Sequence, residues 1–411
     1  MTTKTITRHT WRSSNLLASK LNSGNEYIEF SLPNDGSTAF TLTSPVEMWN
    51  DPFFCKTASS VLLADNLTEN STLATWTSQQ YPGGATLNGS AGQVMTKIYK
   101  FWYKEGFDGS GNLNFLGVAN YAKEGYTLHP KFSYGAGRDY IYIGGYEGSN
   151  ATGDKLASVS GAAVLASIAL ATSRTRAFAR GTGWYPNDFW SNHILRLLQY
   201  MYYGDYNMQA KLPGYTNRSA YADAARRSTG RSNALAGHAG SVDYDPTGLD
   251  SDLGTSGWSS TERKIANRFL WIENPWGHIW KFEDGCSADG RTTSTNKFYT
   301  TPDPAKFSSV EATILSGYDD MGILLPGASN ETYIQNLQAG LLPYTQGGNA
   351  STYITDYYWS YLNDAGRNYL RSVRAGGNLT NGGQAGVAAR YSNNDLSTAA
   401  AFLGSRLCAA P

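Results

Sequence analysis

The chain carries five histidines, His9, His129, His193, His238 and His278, and three cysteines, Cys55, Cys286 and Cys408. Imidazole is the common general base near neutral pH, and thiolate is the common soft nucleophile and metal ligand, so the spacing of these groups bears first on chemistry. No HExxH, GxSxG or P-loop pattern occurs. His193 lies inside an apolar helical pattern and His278 inside NPWGHIW (274–280), settings that suit a structural hydrogen-bonding imidazole better than a base. The cysteines are odd in number, far apart and without a CxxC pair, which supplies neither a disulfide framework nor a zinc site.

Carboxylate pairs can cleave glycosidic bonds when two of them flank the bond. Glu273, Glu283 and Asp284 stand around the NPWG turn, and Asp243, Asp245, Asp250 and Asp252 share one stretch. Spacing in three dimensions is not written in the sequence. The competing reading has Glu273 satisfying backbone groups near Trp276 and the acidic stretch solvated. DYDPTGLDSD is rich in oxygen ligands but lacks EF-hand spacing. The expectation is a chain without catalytic residues, metal or cofactor, with a polysaccharide-degrading tail enzyme using paired carboxylates as the alternative.

The 411 residues hold 33 basic and 33 acidic side chains, 41% hydrophobic residues and 13% aromatics. A net charge of zero gives no electrostatic footprint for nucleic acid, and the aromatic content is too high for a disordered polymer. The longest small-apolar run, GAAVLASIALA (161–171), is too short to cross about 30 Å of hydrocarbon, so no membrane insertion is expected. The first twenty residues lack the apolar core of a secretory leader.

The elements that would position any site are mostly short. Glycine, 44 residues in all, and clusters of Asn, Ser and Thr cut the chain into strand-sized pieces. One helix stands out over Asn187–Met201, where Phe189, Trp190, Ile194, Leu197, Leu198 and Met201 share a face, and a weaker one covers Ser173–Arg180. Strands are expected at Tyr27–Leu32, Gln93–Tyr103, Asp139–Ile143 and Phe269–Ile272. Residues 63–90 read as a long loop or domain junction, and 216–260 as surface loop. The expected division is a β-rich attachment or oligomerisation region over 1–90 and a binding domain over 91–411; the alternative makes the first region extra strands of the same domain.

From residue 90 onward an ordered series appears: QVMTKIYKFWYK (93–104), GYTLHPKF (125–132), RDYIYIGGYEGS (138–149), LASVSG (156–161), the segment 181–209 around the strong helix, TGRSNAL (229–235), IENPWGHIWKFEDG (272–285) and the closing 371–407. This series resembles the phage and bacterial ligand-binding proteins with a C-type-lectin-like domain, including the variable proteins of diversity-generating retroelements, whose fold is shared with formylglycine-generating enzymes. The framework positions that match are Arg371, Gly376, Gly377, Gly386, Gly404, Arg406 and Leu407; Leu379 departs where tryptophan is frequent, and Ala389 and Arg390 depart where larger apolar residues are. The resemblance implies an α+β fold, a small twisted antiparallel sheet with flanking helices and long loops. It also implies a diversifiable ligand surface within about 353–407, displayed by a receptor-binding phage tail or fibre protein, or else on a bacterial cell surface. Implied partners are a host cell-surface protein or glycan, other virion tail subunits and sister copies in a homotrimer. A purely structural virion protein is a further alternative.

The residues support a contact surface in their own right. Between Arg374 and Arg406 the charged side chains are Arg390 and Asp395, among Gly, Asn, Ala, Ser and Thr. Small polar groups on turns with aromatic anchors beside them are the composition of paratopes. The candidate turn contacts are Asn378, Thr380, Asn381, Gly383 and Gln384, followed by Ala389, Arg390 and Tyr391, then Thr398, Ala400 and Phe402. The candidate anchors are Tyr357, Tyr358 and Trp359, with Tyr353 and Tyr361 nearby. The competing reading of TYITDYYWSYL is a strand whose alternate aromatics face the core. If the gene is actively diversified, a near-copy of its 3′ end, differing at template adenines and followed by a reverse transcriptase, lies downstream; identical tails across isolates would refute diversification.

Overall fold

The computed structural model describes residues 25–45, 52–75, 81–82, 85–216, 227–233, 235, 239–243, 264–291, 296–327, 331–360 and 368–411. Its centre is the helix Phe189–Tyr203, in which every residue from Phe189 to Tyr202 is buried. A helix covered on all sides is an interior helix, not the amphipathic surface helix that its sequence pattern suggests. Asp188 starts it by accepting from the Trp190 and Ser191 amides at 3.0 and 3.1 Å, and Gly204 ends it in the left-handed region at φ 61°. Ile194, Leu197, Leu198 and Met201 belong to one continuous core with Ile28 and Leu116 of one sheet, Ile98 and Ile143 of a second, and Ile334 and Tyr358 of a third.

The first sheet has five strands in the order Thr41–Leu42, Tyr27–Ser31, Leu113–Ala119, Trp102–Phe107, Thr127–Leu128. The second has six, Trp184–Pro186, Arg406–Ala409, Tyr140–Glu147, Gln93–Tyr99, Ala58–Leu63 and Glu69–Thr75. The third curls into a half-barrel ordered Asp319–Leu324, Lys297–Thr300, Trp280–Asp289, Leu370–Ala375, Arg390–Tyr391, Tyr357–Trp359, Thr332–Gln338, Leu342–Gln346. Leu403–Gly404 lies parallel to the start of Trp280–Asp289.

Strand amounts to 39% and helix to 16%, so the expected α+β, C-type-lectin-like class is corrected to a mostly β architecture. The long helix that suggested flanking helices is enclosed by sheets instead. Much of what reads as loop is strand: Glu69–Thr75 pairs with Ala58–Leu63 inside the supposed junction. Ala58–Leu63 in turn pairs with Gln93–Tyr99, and Tyr27–Ser31 with Leu113–Ala119, so the expected division near residue 90 runs through two sheets. The expected strand Gln93–Tyr103 breaks at Lys100 and Phe101 and feeds two different sheets. Phe269–Ile272 is a tight hairpin turn, with Leu270 and Trp271 at φ 48° and 64°. Both central residues of such a turn need positive φ, which side-chain sterics hide from propensity reasoning.

The cap of the central helix is also an ion pair. Asp188 Oδ2 accepts from Ser191 Oγ at 2.6 Å and lies 3.2 Å from the Lys131 ammonium; both side chains are fully enclosed. Asp188→Ala removes the cap and leaves a buried cation, and urea denaturation is expected to show a loss of roughly 3–5 kcal/mol. Asp188→Asn with Lys131→Met keeps an acceptor and removes both charges, and should recover most of that loss.

Candidate functional site

Alternation along a strand sends neighbouring side chains to opposite faces, and the curled sheet separates the predicted contacts accordingly. Tyr358 pairs in register with Arg390, Arg390 with Ala375, and Ala375 with Lys281; this row faces inward. The next row, Trp359, Tyr391, Arg374 and Phe282, lies on the opposite face of the sheet, the outer one, where Phe282, Arg374 and Trp359 are covered and Tyr391 keeps partial exposure. Tyr357 and Tyr333 pair beside it.

On the inner side, Glu283 bonds Arg196 of the central helix through Oε1 at 2.5 Å, and its Oε2 lies 3.1 Å from Arg390 Nε. Arg390 also donates to the Ala389 carbonyl at 3.0 Å. Asp356 sits close by and accepts the Ala388 amide at 2.7 Å. Burial pushes the Asp356 carboxyl well above the usual carboxylate range, opposed by that amide and by Arg390. Gly386 is needed there because a Cβ would lie 2.0 Å from Asp356 Oδ1.

The outer row is aromatic. Tyr333 and Tyr357 are 5.1 Å apart between ring centres, Tyr357 and Trp359 4.6 Å, and Trp359 and Tyr391 6.3 Å. Trp280 meets Trp359 edge-on at 5.1 Å. Ala400 and Phe402 border the same cluster. The Tyr357 hydroxyl donates to the Glu331 carbonyl, and Asn393 Nδ2 donates to Glu331 Oε1 at 2.9 Å, which fixes the rim. Leu170 at the start of the helix Leu170–Phe178 packs at the Phe282 and Trp280 end, and Arg174 grips Asp284 with two bonds of 2.8 Å. At the other end Tyr333, Tyr357, Tyr391 and Phe402 keep partial exposure.

The structure thus gathers Tyr357, Trp359, Tyr391, Ala400 and Phe402 over the buried Trp280 and adds Tyr333 and Arg374, which sequence reasoning missed. Tyr358, Ala389 and Arg390 are corrected: they are fully enclosed and cannot meet a ligand from outside. Trp359 is 8% exposed, so its neighbours offer most of the free aromatic surface. The predicted turn stands apart from the row. Asn378 Oδ1 takes the Thr380 amide and hydroxyl, both at 2.9 Å, and Asn381 Oδ1 takes the Asn378 amide at 2.7 Å. Gln209 holds the Gly382 and Ala385 carbonyls at 2.8 and 2.7 Å. These polar groups therefore maintain the turn itself; Gly383 is exposed, and Gln384 is half-buried. Thr398 is half-buried and donates to Asp395 at 3.1 Å. Tyr353 packs on the Gly36 loop, and Tyr361 lies outside the described residues.

The chemically suggestive residues have enclosed roles. Glu273 accepts the Gly230 and Ser232 amides at 2.8 and 2.7 Å and the Ser232 hydroxyl at 2.7 Å, close to the alternative given above for it. His278 Nδ1 pairs with Glu147, which also meets Lys281 at 2.8 Å. Burial pushes the Cys286 thiol well up and the Cys408 thiol to about 12. Among the described residues no three His, Cys, Asp or Glu side chains form a metal cage. His9, His238, Asp245, Asp250 and Asp252 lie outside the described residues, as do the side chains of Cys55 and Asp243. A separate cleft of about 630 Å³ is lined by Tyr134, Arg138, Phe178, Trp184 and Tyr185 and includes none of the predicted contacts. No family model matches the chain, and no curated protein matches it.

His129 and His193 form a relay. The Lys131 amide donates to His129 Nδ1 at 3.3 Å, which leaves the proton on His129 Nε2 for His193 Nδ1 at 2.9 Å. His193 Nε2–H then faces Glu105 Oε1 at 3.0 Å, and the Gly340 amide donates to Oε2 at 2.9 Å. Burial, first among the causes, holds both imidazoles well below their usual range and lifts Glu105 to about 7. Below pH about 6.5 the unfolded chain takes up two imidazole protons that the folded chain refuses, so stability falls with acid. Glu105 works oppositely between its ordinary 4.5 and about 7, because there the folded form holds the extra proton. These three groups together contribute a slope near one proton, about 1.4 kcal/mol per pH unit, around pH 5–6, and Glu105→Gln should steepen the measured slope by up to about one further proton. Denaturant titrations from pH 5 to 7 measure it, and an unchanged slope in the variant would count against the relay.

Proposed function

We propose that this chain is a ligand-binding protein whose contact surface is the outward aromatic row of the curled sheet. The observation that carries the reading is the in-register placement of Trp359, Tyr391 and Arg374 on three adjacent strands, with Tyr357 and Tyr333 beside them. Rigid rings on a sheet keep their positions without a ligand, so little conformational entropy is lost on binding. Glu283, Arg196 and Arg390 underneath fix the backbone, which leaves the partly exposed Tyr333, Tyr357 and Tyr391 free to vary at smaller cost in stability than the buried Trp359 and Phe282.

The resemblance of the motif series to retroelement variable proteins favours a receptor-binding role on a phage tail or fibre, with a host surface protein or glycan as ligand. In this reading other tail subunits, or sister copies in a homotrimer, meet the protein away from the row. No helix among the described residues is long and apolar enough to cross a membrane.

The test is attachment of the labelled protein to intact host cells. Tyr391→Ala and Tyr357→Ala should each weaken saturable binding roughly tenfold, in the range of aromatic anchors at interfaces. Tyr99→Ala, a change at a ring 40% exposed elsewhere on the surface, should leave it unchanged. Equal binding by all three variants and the parent would reject the row as the contact surface.

A further inference from the structure

The C-terminal segment buries four arginines, and three of them have partners. Arg371 donates to the Asn393 carbonyl at 3.2 Å. Arg390 is held by Glu283 and by the Val387 and Ala389 carbonyls. Arg406 donates to the Gly144, Glu273 and Asn274 carbonyls. Arg374 is the exception: it is 2% exposed, and its Nε and Nη2 are sealed from solvent with no hydrogen-bond partner. Nη1 is not among the sealed nitrogens.

What surrounds Arg374 is aromatic. Its guanidinium carbon lies 5.0 Å from the Tyr391 ring centre and 5.6 Å from that of Phe282. Asp395 acts on it only through space, and burial lowers its pKa to about 10. Cation–π contacts offset part of the desolvation of a buried guanidinium but supply no acceptor for its N–H groups. A charge held in this way is stabilised further when an anion reaches it, and Arg374 stands in the same outward row as Tyr391 and Trp359.

Resting on the binding reading above, we infer that the ligand is an acidic glycan, whose sugar rings lie on the Tyr333, Tyr357 and Tyr391 side of the row and whose carboxylate meets the unsealed Nη1 of Arg374 beside Tyr391. The C–H faces of pyranoses carry slight positive charge and suit the negative faces of aromatic rings. Successive ring centres lie 5.1, 4.6 and 6.3 Å apart with planes inclined by 81°, 50° and 32°, so the rings offer a line of faces and edges to successive sugars, not a flat floor. One guanidinium matches a carboxylate at one sugar in the chain; a polyphosphate ligand would call for several cations.

The experiment uses the full chain and three immobilised probes: hyaluronan oligosaccharides for uronates, α2,8-linked oligosialic acid for sialates, and maltohexaose as a neutral control. At least one acidic probe should bind roughly tenfold or more tightly than maltohexaose, as expected for a charge-assisted bond. Arg374→Met should bring acidic binding down to the neutral level with no fall in melting temperature, since it removes a charge that lacks a partner. Arg374→Lys should fall between the two. Equal binding of acidic and neutral probes, unchanged acidic binding in Arg374→Met, or a sharply lowered melting temperature in that variant overturns the acidic assignment and leaves the aromatic contact surface standing. If none of the probes binds while cell attachment still depends on Tyr391, the ligand is not an acidic glycan and a protein takes its place. Should cell attachment ignore Tyr391 and Tyr357 as well, the binding reading itself fails.

Discussion

The Glu283 carboxylate, gripped by Arg196 of the central helix and Arg390 of the C-terminal segment, is the contact on which the rest of the structure depends. It joins three stretches of chain far apart in sequence inside a water-excluded interior. Removing one partner from such a group typically costs about 3–5 kcal/mol, a large part of the roughly 5–15 kcal/mol that stabilises a domain. The contact also fixes register. Sliding Arg390–Tyr391 by one residue would turn the guanidinium to solvent and put a tyrosine against Glu283, so the inner charges dictate which rings face outward.

That dependence explains which parts of the fold were legible in the sequence. The central helix was visible because its apolar residues recur at the helical period over four turns. Its full enclosure was not, because a polar member such as Arg196 has the character of a solvent face until its partner Glu283 is brought in by another element, whereas the buried His193 fits the structural role its apolar setting suggests. The strand Tyr357–Trp359 alternates as the competing reading has it, with Tyr358 turned to the core and Tyr357 partly exposed, while Trp359 on the other face is also buried. Arg390 was misplaced for the same reason as Arg196. A lone cation among small residues resembles surface, and its carboxylate lies in a different strand of the sheet. Arg374 had no signal at all, since what distinguishes it is the lack of an acceptor in the folded chain.

The class was misread through strand length. Many strands here are two to four residues long, among them Arg390–Tyr391, Leu403–Gly404 and Lys297–Thr300. Pieces that short carry no detectable alternation, so a glycine-punctuated stretch reads as turns although it completes a sheet. Asp356 shows how such pieces are secured: it is buried against Gly386 and binds the Ala388 amide, so a side chain substitutes for a ladder bond and shapes the approach to Arg390.

The strand Arg406–Ala409 sits between Trp184–Pro186 and Tyr140–Glu147, and its Arg406 reaches the Gly144 carbonyl across 262 residues of chain. During synthesis the edge of Tyr140–Glu147 therefore waits for residues translated much later. Pairing over so long a separation is slow, and an open edge recruits stray strands. Nascent chains stalled before this segment emerges keep that edge open, and the six-stranded sheet closes only once residues 406–409 are made.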